Sequence, residues 1–164
     1  MKLFLLIVAP LLVWAEPLLQ QQLLVEDIQV LTGDKWVGSL TYRDYRSNKM
    51  VSIPSTLSVS RTADKEPTFE LDFQYPEEPK ANGKKTVVIK DYGRKLDDEK
   101  VVERRQLTND LLKVVTEKKG KDNDRDALMR FTYLISAKSF SITKEVKYEG
   151  SSDYVARNQY NWAR

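Results

Sequence analysis

The chain contains no histidine and no cysteine, the two residues that supply most nucleophiles and acid–base groups working near neutral pH. They are also the ligands that zinc and other transition metals prefer. Carboxylate pairs remain as possible catalysts, but the acidic and basic side chains alternate along the polar faces of the predicted strands, which is typical of a solvated surface. We therefore expect no catalytic residues, no cofactor and no enzymatic activity.

The densest group of oxygen ligands lies between Asp122 and Asp126, where carboxylates occur at alternate positions. A calcium loop of the helical type beginning at Asp122 would need glycine at its sixth position and an acidic residue at its twelfth. Ala127 and Tyr133 occupy these positions. The segment is predicted to be a polar hairpin tip, and no metal site is predicted.

Aromatic side chains and two arginines point to binding. A small barrel lined with aromatic residues either packs solid or encloses an apolar ligand. Arg130 and Arg157 each lie mid-strand, and a buried guanidinium would need an anionic partner such as a ligand carboxylate. Arg130 shares a strand face with Leu128 and Leu134. Arg157 shares one with polar residues, so it is either external or stacked on an aromatic ring near the barrel end. The predicted ligand contacts are Tyr42, Arg130, Tyr133, Arg157 and Tyr160.

The strands that would hold these residues begin at Trp36. Here the spacing of hydrophobic residues changes from the three- and four-residue spacing of a helix to the alternation of a strand. One face of the first strand is predicted to carry Trp36, Gly38, Leu40 and Tyr42. No ten-residue helical pattern interrupts the later chain, so parallel crossovers are excluded. Turn-rich breaks separate nine strand-like runs: 36–46, 50–61, 68–75, 86–92, 100–107, 111–118, 127–136, 139–148 and 154–162.

A meander of nine strands must bury one face and protect its edges, and closure into a barrel does both. The predicted fold is therefore all-β: an antiparallel up-and-down β-barrel of about nine strands, with an N-terminal α-helix covering one end. A two-sheet sandwich is the alternative architecture, although only the 76–85 break could make its longer connection. Pro54 lies inside the second run and lacks an N–H, which predicts a bulge or bend there.

The first fifteen residues combine Lys2, an apolar run at 3–14 and the small residue Ala15. This pattern predicts a signal peptide over 1–15. An N-terminal membrane anchor is the alternative, but the apolar run is shorter than the roughly 20 residues that a spanning helix needs. No transmembrane segment is expected after cleavage.

Residues 16–33 are predicted to form the N-terminal helix, because Leu24, Ile28 and Leu31 follow three- and four-residue spacing. This amphipathic helix could bind a partner or a membrane, but covering one end of the barrel is the simpler interpretation. Residues 34–164 then form the barrel domain.

The formal net charge of +3 at pH 7 gives no electrostatic reason to expect nucleic acid as a partner. The chain also lacks cysteine and any Asn-x-Ser/Thr sequence, whereas small exported eukaryotic domains are often disulfide-bonded. Together with the predicted signal peptide, this favours a periplasmic or extracellular location, in a bacterium. The sequence does not identify a protein partner.

The helix, the segment from Leu31 to Tyr45 with Trp36 and Gly38, and the final strand at 157–162 resemble the lipocalin-like (calycin) β-barrels of exported bacterial proteins, most of which have no assigned function. The resemblance spans about residues 23–164 and implies an internal cavity for a small apolar molecule, without catalysis.

The expected function is therefore a secreted or periplasmic barrel that binds a small hydrophobic or amphiphilic ligand. A filled barrel that acts as a structural or interaction domain of the cell envelope is the alternative. In the first case Trp36 would plug the closed end, and the ligand would lie further along the strand, near Tyr42.

Overall fold

The computed structural model describes residues 21–63 and 65–164. The predicted signal peptide and the start of the predicted helix lie outside these residues. The described elements are one α-helix, two short 3-10 helices at Pro79–Ala81 and Asp91–Gly93, and ten strands. Their bounds are α1 Val25–Gln29, β1 Gly33–Arg43, β2 Met50–Ala63, β3 Thr68–Gln74, β4 Gly83–Lys90, β5 Lys95–Leu96, β6 Glu99–Thr108, β7 Leu111–Asp122, β8 Arg125–Ile135, β9 Ser139–Tyr148 and β10 Val155–Ala163.

Each strand pairs antiparallel with its sequence neighbours, and β1 pairs with β10 to close a barrel. The predicted all-β, up-and-down barrel with a helix on its N-terminal side is confirmed. The strand count is ten because Lys95–Leu96, which was predicted to lie in a turn, forms a two-residue strand. Leu96 pairs with Ile89 of β4 and with Glu99 of β6, so β5 joins two strands that would otherwise be separated.

The inward face of β1 is the predicted one. Trp36 is fully buried, whereas its neighbour Val37 is 65% exposed. Gly38 lies opposite Ser55 of β2 and Trp162 of β10, which are both buried. The core at this end includes Leu23, Ile28, Leu31, Trp36, Leu57, Phe69, Leu112, Ile135, Phe140 and Trp162. This half of the barrel is filled with side chains.

Helix α1 lies beside the filled half and is held by polar contacts. Asp27 accepts hydrogen bonds from Nε and Nη2 of Arg104, both at 2.7 Å. The indole nitrogen of Trp36 donates to the Leu31 carbonyl at 2.8 Å. The described helix is shorter than predicted at both ends: Leu24 is extended, and a turn at Val30 and Leu31 follows Gln29. Gly33, at φ +133°, then leads the chain into β1.

The predicted bulge at Pro54 does not occur. The β1–β2 register is continuous through the pair Ser39 and Pro54. Pairing of β2 with β3 begins only at Thr56, so the missing N–H of Pro54 costs that ladder no hydrogen bond.

The barrel wall is incomplete in the half away from α1. β5 pairs with β4 only at Ile89 and Lys90. The pairing of β6 with β7 starts with Lys100 opposite Glu117. Beyond Glu117, β7 continues to Asp122, and in the described register it pairs there with β8 alone. The interior is therefore accessible between β4 and β7. In the described part of the chain, no helix is long and apolar enough to cross a membrane.

Candidate ligand-binding site

Four of the five predicted contact residues lie around two adjoining cavities in the open half of the barrel. Tyr42 and Arg157 line a cavity of about 320 Å³ near the barrel end, which we call the mouth cavity. Tyr133 and Tyr160 line a cavity of about 270 Å³ between the strands, which we call the barrel cavity. The two cavities share Tyr75, Ala81, Lys144 and Asn158 as lining residues.

The barrel cavity has an aromatic wall built by strand register. Tyr133, Ile142 and Tyr160 lie side by side on β8, β9 and β10. The Phe73 ring centroid is 5.5 Å from that of Tyr160. The hydroxyls of Tyr75 and Tyr160 are 2.7 Å apart. Burial, followed by the hydrogen bond with Tyr75, raises the pKa of Tyr160 far above its usual range, so this phenol stays neutral.

A buried carboxylate lies beside the barrel cavity. Glu99 is 1% exposed, and its Oε2 accepts hydrogen bonds from Thr116 Oγ1 at 2.6 Å and from the Tyr133 hydroxyl at 3.1 Å. Its Oε1 lies 3.9 Å from Lys118 Nζ and 4.0 Å from Lys85 Nζ. Burial raises the pKa of Tyr133 well above 10, and the neighbouring Glu99 raises it further. The Tyr133 hydroxyl is therefore a protonated donor held in place by Glu99.

A second buried carboxylate, Asp122, lies beside the mouth cavity. It is 4% exposed and accepts hydrogen bonds from Lys144 Nζ at 2.7 Å, from the Tyr148 hydroxyl at 2.8 Å and from the Tyr45 hydroxyl at 3.0 Å. Burial alone would raise the pKa of Asp122, but these three hydrogen bonds outweigh it and hold the pKa below 3.8. Asp122 is therefore an anion that organises this end of the barrel.

Arg157 is buried, with 8% of the residue exposed. The β9–β10 register shifts between Ala156 and Asn158, and this bulge turns Arg157 away from the external face that simple alternation indicates. Its guanidinium stacks on Tyr45, 3.8 Å from the ring centroid. Its Nε lies 3.4 Å from Asp122 Oδ2, outside hydrogen-bond geometry. Among the described residues, Nε and Nη2 of Arg157 have no hydrogen-bond acceptor.

Arg130 is the predicted contact that the structure does not bring to either cavity. The inward series of β8 runs through alternate residues from Ala127 to Ile135, so Arg130 lies on the outer face. It donates to Glu117 Oε1 from Nε at 2.9 Å and from Nη2 at 2.7 Å. Its guanidinium also stacks on the Tyr154 ring, 4.1 Å from the centroid.

The segment 122–126, which was predicted to be a hairpin tip, contains the turn between β7 and β8. Asn123 and Asp124 have φ of 49° and 60°, as a two-residue hairpin turn of the primed type requires. Among the described residues, no group of three or more acidic side chains is placed to hold a metal ion.

None of the four residues that line both cavities was among the predicted contacts, although Tyr75 and Lys144 each left a signal in the sequence. Tyr75 continues the inward alternation of Phe69, Leu71 and Phe73. Lys144 lies on the inward face of β9, where a cation among apolar neighbours is unusual and indicates a polar partner.

Comparisons with protein-family models and with curated protein sequences give no match for this chain. The function must therefore be argued from the fold and the geometry of the cavities.

Proposed function

We propose that this barrel binds a small hydrophobic or amphiphilic molecule in the barrel cavity. The observation that carries the proposal is the cavity's lining of inward-facing apolar side chains, which include Leu71, Phe73, Phe131, Ile142 and Tyr160. Binding sites for small molecules are concave and mostly apolar, with a few polar groups that fix orientation. Transfer of an apolar chain from water into this cavity would be favourable by about 25 cal/mol per Å² of apolar surface buried.

Tyr133 and Tyr160 supply uncharged polar groups to this proposed site, which Lys84, Lys85 and Lys144 also line. Both phenols are neutral at ordinary pH, and their hydroxyls are already engaged by Glu99 and Tyr75. They can orient a ligand oxygen without carrying charge. Packing around Trp36 fills the other half of the barrel, so a ligand would enter from the open half. The resemblance to lipocalin-like barrels supports the same proposal.

The alternative function is a filled barrel that acts through its surface as a structural or interaction domain. The dense core around Trp36, Phe140 and Trp162 favours this alternative for one half of the molecule. The two functions differ in what they predict for the open half, because a purely structural barrel should bind no apolar probe there.

Titration with the uncharged fluorophore Nile red tests the proposal. We expect saturable binding with a blue shift in emission, and we expect Ile142→Trp to weaken binding about tenfold or more because the larger ring occupies the barrel cavity. Val37→Trp is the matched control, since Val37 is 65% exposed on the outside of β1. Circular dichroism would show that both variants fold. Absence of Nile red binding to the wild-type protein would favour the structural alternative.

We also propose that the protein is exported to the periplasm or the extracellular space. The support is the apolar run at 3–14 that ends at Ala15. Intact mass measurement of protein purified from its own host tests this, and we expect loss of residues 1–15. A mass that includes these residues would contradict the proposed cleavage.

A further inference from the structure

We propose that the mouth cavity recognises an anionic head group, so that the ligand is a single-chain amphiphile whose head lies against Arg157 and whose chain lies in the barrel cavity. This inference rests on the proposed function, and it adds the charge of the ligand and the position of its head.

The first support is the pair of unused donors on Arg157. Its side chain is 9% exposed and lines the mouth cavity. Its Nε forms an ion pair with Asp122 Oδ2 at 3.4 Å, yet neither Nε nor Nη2 has a hydrogen-bond acceptor within the described residues. Buried donors are normally paired, and an unpaired one destabilises the folded protein. A ligand oxyanion in the cavity would provide the missing acceptor.

Two other arginines of this chain show what the guanidinium edge that carries Nε and Nη2 binds. Arg104 uses Nε and Nη2 to hold both carboxylate oxygens of Asp27, each at 2.7 Å. Arg130 uses the same two nitrogens on Glu117. The planar fork matches a carboxylate or a phosphate, and such charge-assisted pairs are among the stronger hydrogen bonds in proteins.

The second support is an excess of positive charge around the mouth cavity. Its cationic lining residues are Arg43, Lys144 and Arg157, and its acidic lining residue is the exposed Glu78. Asp122 is not among the residues that line this cavity, although its Oδ2 lies 3.4 Å from Arg157 Nε. Hydrogen bonds from Lys144 and two tyrosines already engage both of its oxygens.

Arg43 repeats the pattern seen at Arg157. Its Nη1 donates to Asn48, whereas its buried Nε has no acceptor among the described residues. Two arginines thus present unpaired donors at one cavity, which is the arrangement expected of a site completed by an anion.

The third support is the connection between the cavities. Tyr75, Lys144 and Asn158 line both of them. A head group held by Arg157 therefore lies next to the aromatic wall around Tyr160, where an attached apolar chain would leave water. Arg157 lines the mouth cavity and not the barrel cavity, so a ligand that uses both its guanidinium and the aromatic wall spans the two cavities.

Displacement of Nile red by dodecanoate and by 1-dodecanol, at neutral pH and low salt, tests the inference, because the two competitors share a chain and differ in head-group charge. We expect dodecanoate to bind wild-type protein at least about tenfold more tightly than dodecanol does, because its carboxylate can accept charge-assisted hydrogen bonds from the Arg157 guanidinium. Arg157→Gln should remove this preference, because it should weaken dodecanoate binding far more than dodecanol binding. Arg130→Gln is the matched control on the outer face, and it should retain the preference.

Arg157→Lys keeps the charge while removing the fork, and it provides a second variant if Arg157→Gln does not fold. We expect it to retain only part of the preference. Dodecyl phosphate identifies the oxyanion: tighter binding than dodecanoate would assign the head to a phosphate monoester and would still support an anionic head.

The outcomes separate the two proposals. If dodecanol and dodecanoate bind wild-type protein equally, or if Arg157→Gln retains the preference, the anion site is overturned while the proposed apolar site stands. If neither competitor nor Nile red binds, both proposals fail.

Discussion

Arg164 stacks on Trp36, with the guanidinium carbon 4.3 Å from the ring centroid. The same guanidinium donates to the carbonyl of Val30 at 2.8 Å and to those of Thr32 and Ala137 at 2.9 Å each. One side chain therefore covers the buried indole and joins the segment before β1 to the β8–β9 turn. This contact seals the filled end of the barrel.

We expect Arg164→Ala to lower the free energy of unfolding by about 1–3 kcal/mol, because three carbonyls lose their donor and Trp36 loses a cation–π contact. Urea denaturation followed by tryptophan fluorescence measures the change. Arg46→Ala, at an exposed position in the β1–β2 turn, is the matched control and should change stability by less than about 0.5 kcal/mol. Equal effects of the two substitutions would contradict a sealing role for Arg164.

Gly38 is required by the close approach of β1 to β10. A Cβ atom added to Gly38 would lie 1.8 Å from the Asn161 carbonyl oxygen and 2.8 Å from Trp162 Cα. These are backbone atoms that cannot move without breaking the pairing that closes the barrel. We expect Gly38→Ala to destabilise the protein by about 2–4 kcal/mol.

Gly83→Ala is the control for Gly38→Ala, since its added Cβ would meet only the Ala81 carbonyl oxygen, at 3.9 Å. It should be neutral or stabilise by up to about 1 kcal/mol through the unfolded chain. Thermal unfolding of both variants compares them directly. Similar melting temperatures would show that the β1–β10 contact relaxes easily.

The sequence predicts the barrel well because alternation along a strand is a local property. The inward positions of Trp36, Gly38 and Tyr42 can be read directly from their parity. The meander order follows from the short turn-rich breaks between the runs. Alternation fails where the register shifts. One extra residue near Ala156 brings Arg157 inward, and no local signal shows on which side of such a bulge a residue will lie.

The partners within the candidate site are less predictable, because they come from distant segments. Asp122 receives hydrogen bonds from Tyr45 and Lys144, and Glu99 receives one from Tyr133. None of these pairs joins neighbouring strands, so each depends on how the sheet curves to close the barrel. Single-sequence patterns place residues on a face, but they do not give the register between strands.

Asp122 should make stability depend on pH in the acid range. Its pKa in the folded protein is held below 3.8, so its charged form contributes stability that is fully present above 3.8 and is lost as the pH falls through the lower folded value. We expect Asp122→Asn to destabilise the protein by about 1–3 kcal/mol near neutral pH, and by progressively less below pH 3.8.

Urea denaturation at a series of pH values measures the gap between Asp122→Asn and wild type. Asp110→Asn, at an exposed position in the β6–β7 turn, is the control and should show a small gap at every pH. A gap for Asp122→Asn that stays constant down to pH 2 would mean that its loss of stability does not come from the charge.

The ion pair between Asp27 and Arg104 should anchor α1 to the barrel. The side chains are 7% and 22% exposed, and they share two hydrogen bonds of 2.7 Å. The hydrogen bond that Arg104 donates to Asp27, together with the nearby carboxylate charge, raises the pKa of Arg104, so the guanidinium stays charged. Because water is largely excluded, we expect a coupling of about 1–3 kcal/mol between Asp27→Asn and Arg104→Gln in a double-mutant cycle.

The exposed pair of Lys84 and Glu70 is the comparison for this cycle. Its nitrogen–oxygen distance of 2.8 Å is similar, but the side chains are 59% and 33% exposed. Solvent and salt screen such a pair, so its coupling should be the smaller of the two and should fall as salt is added. If the two couplings are equal, burial does not strengthen the Asp27–Arg104 pair, and apolar packing of Leu23 and Ile28 must hold α1 instead.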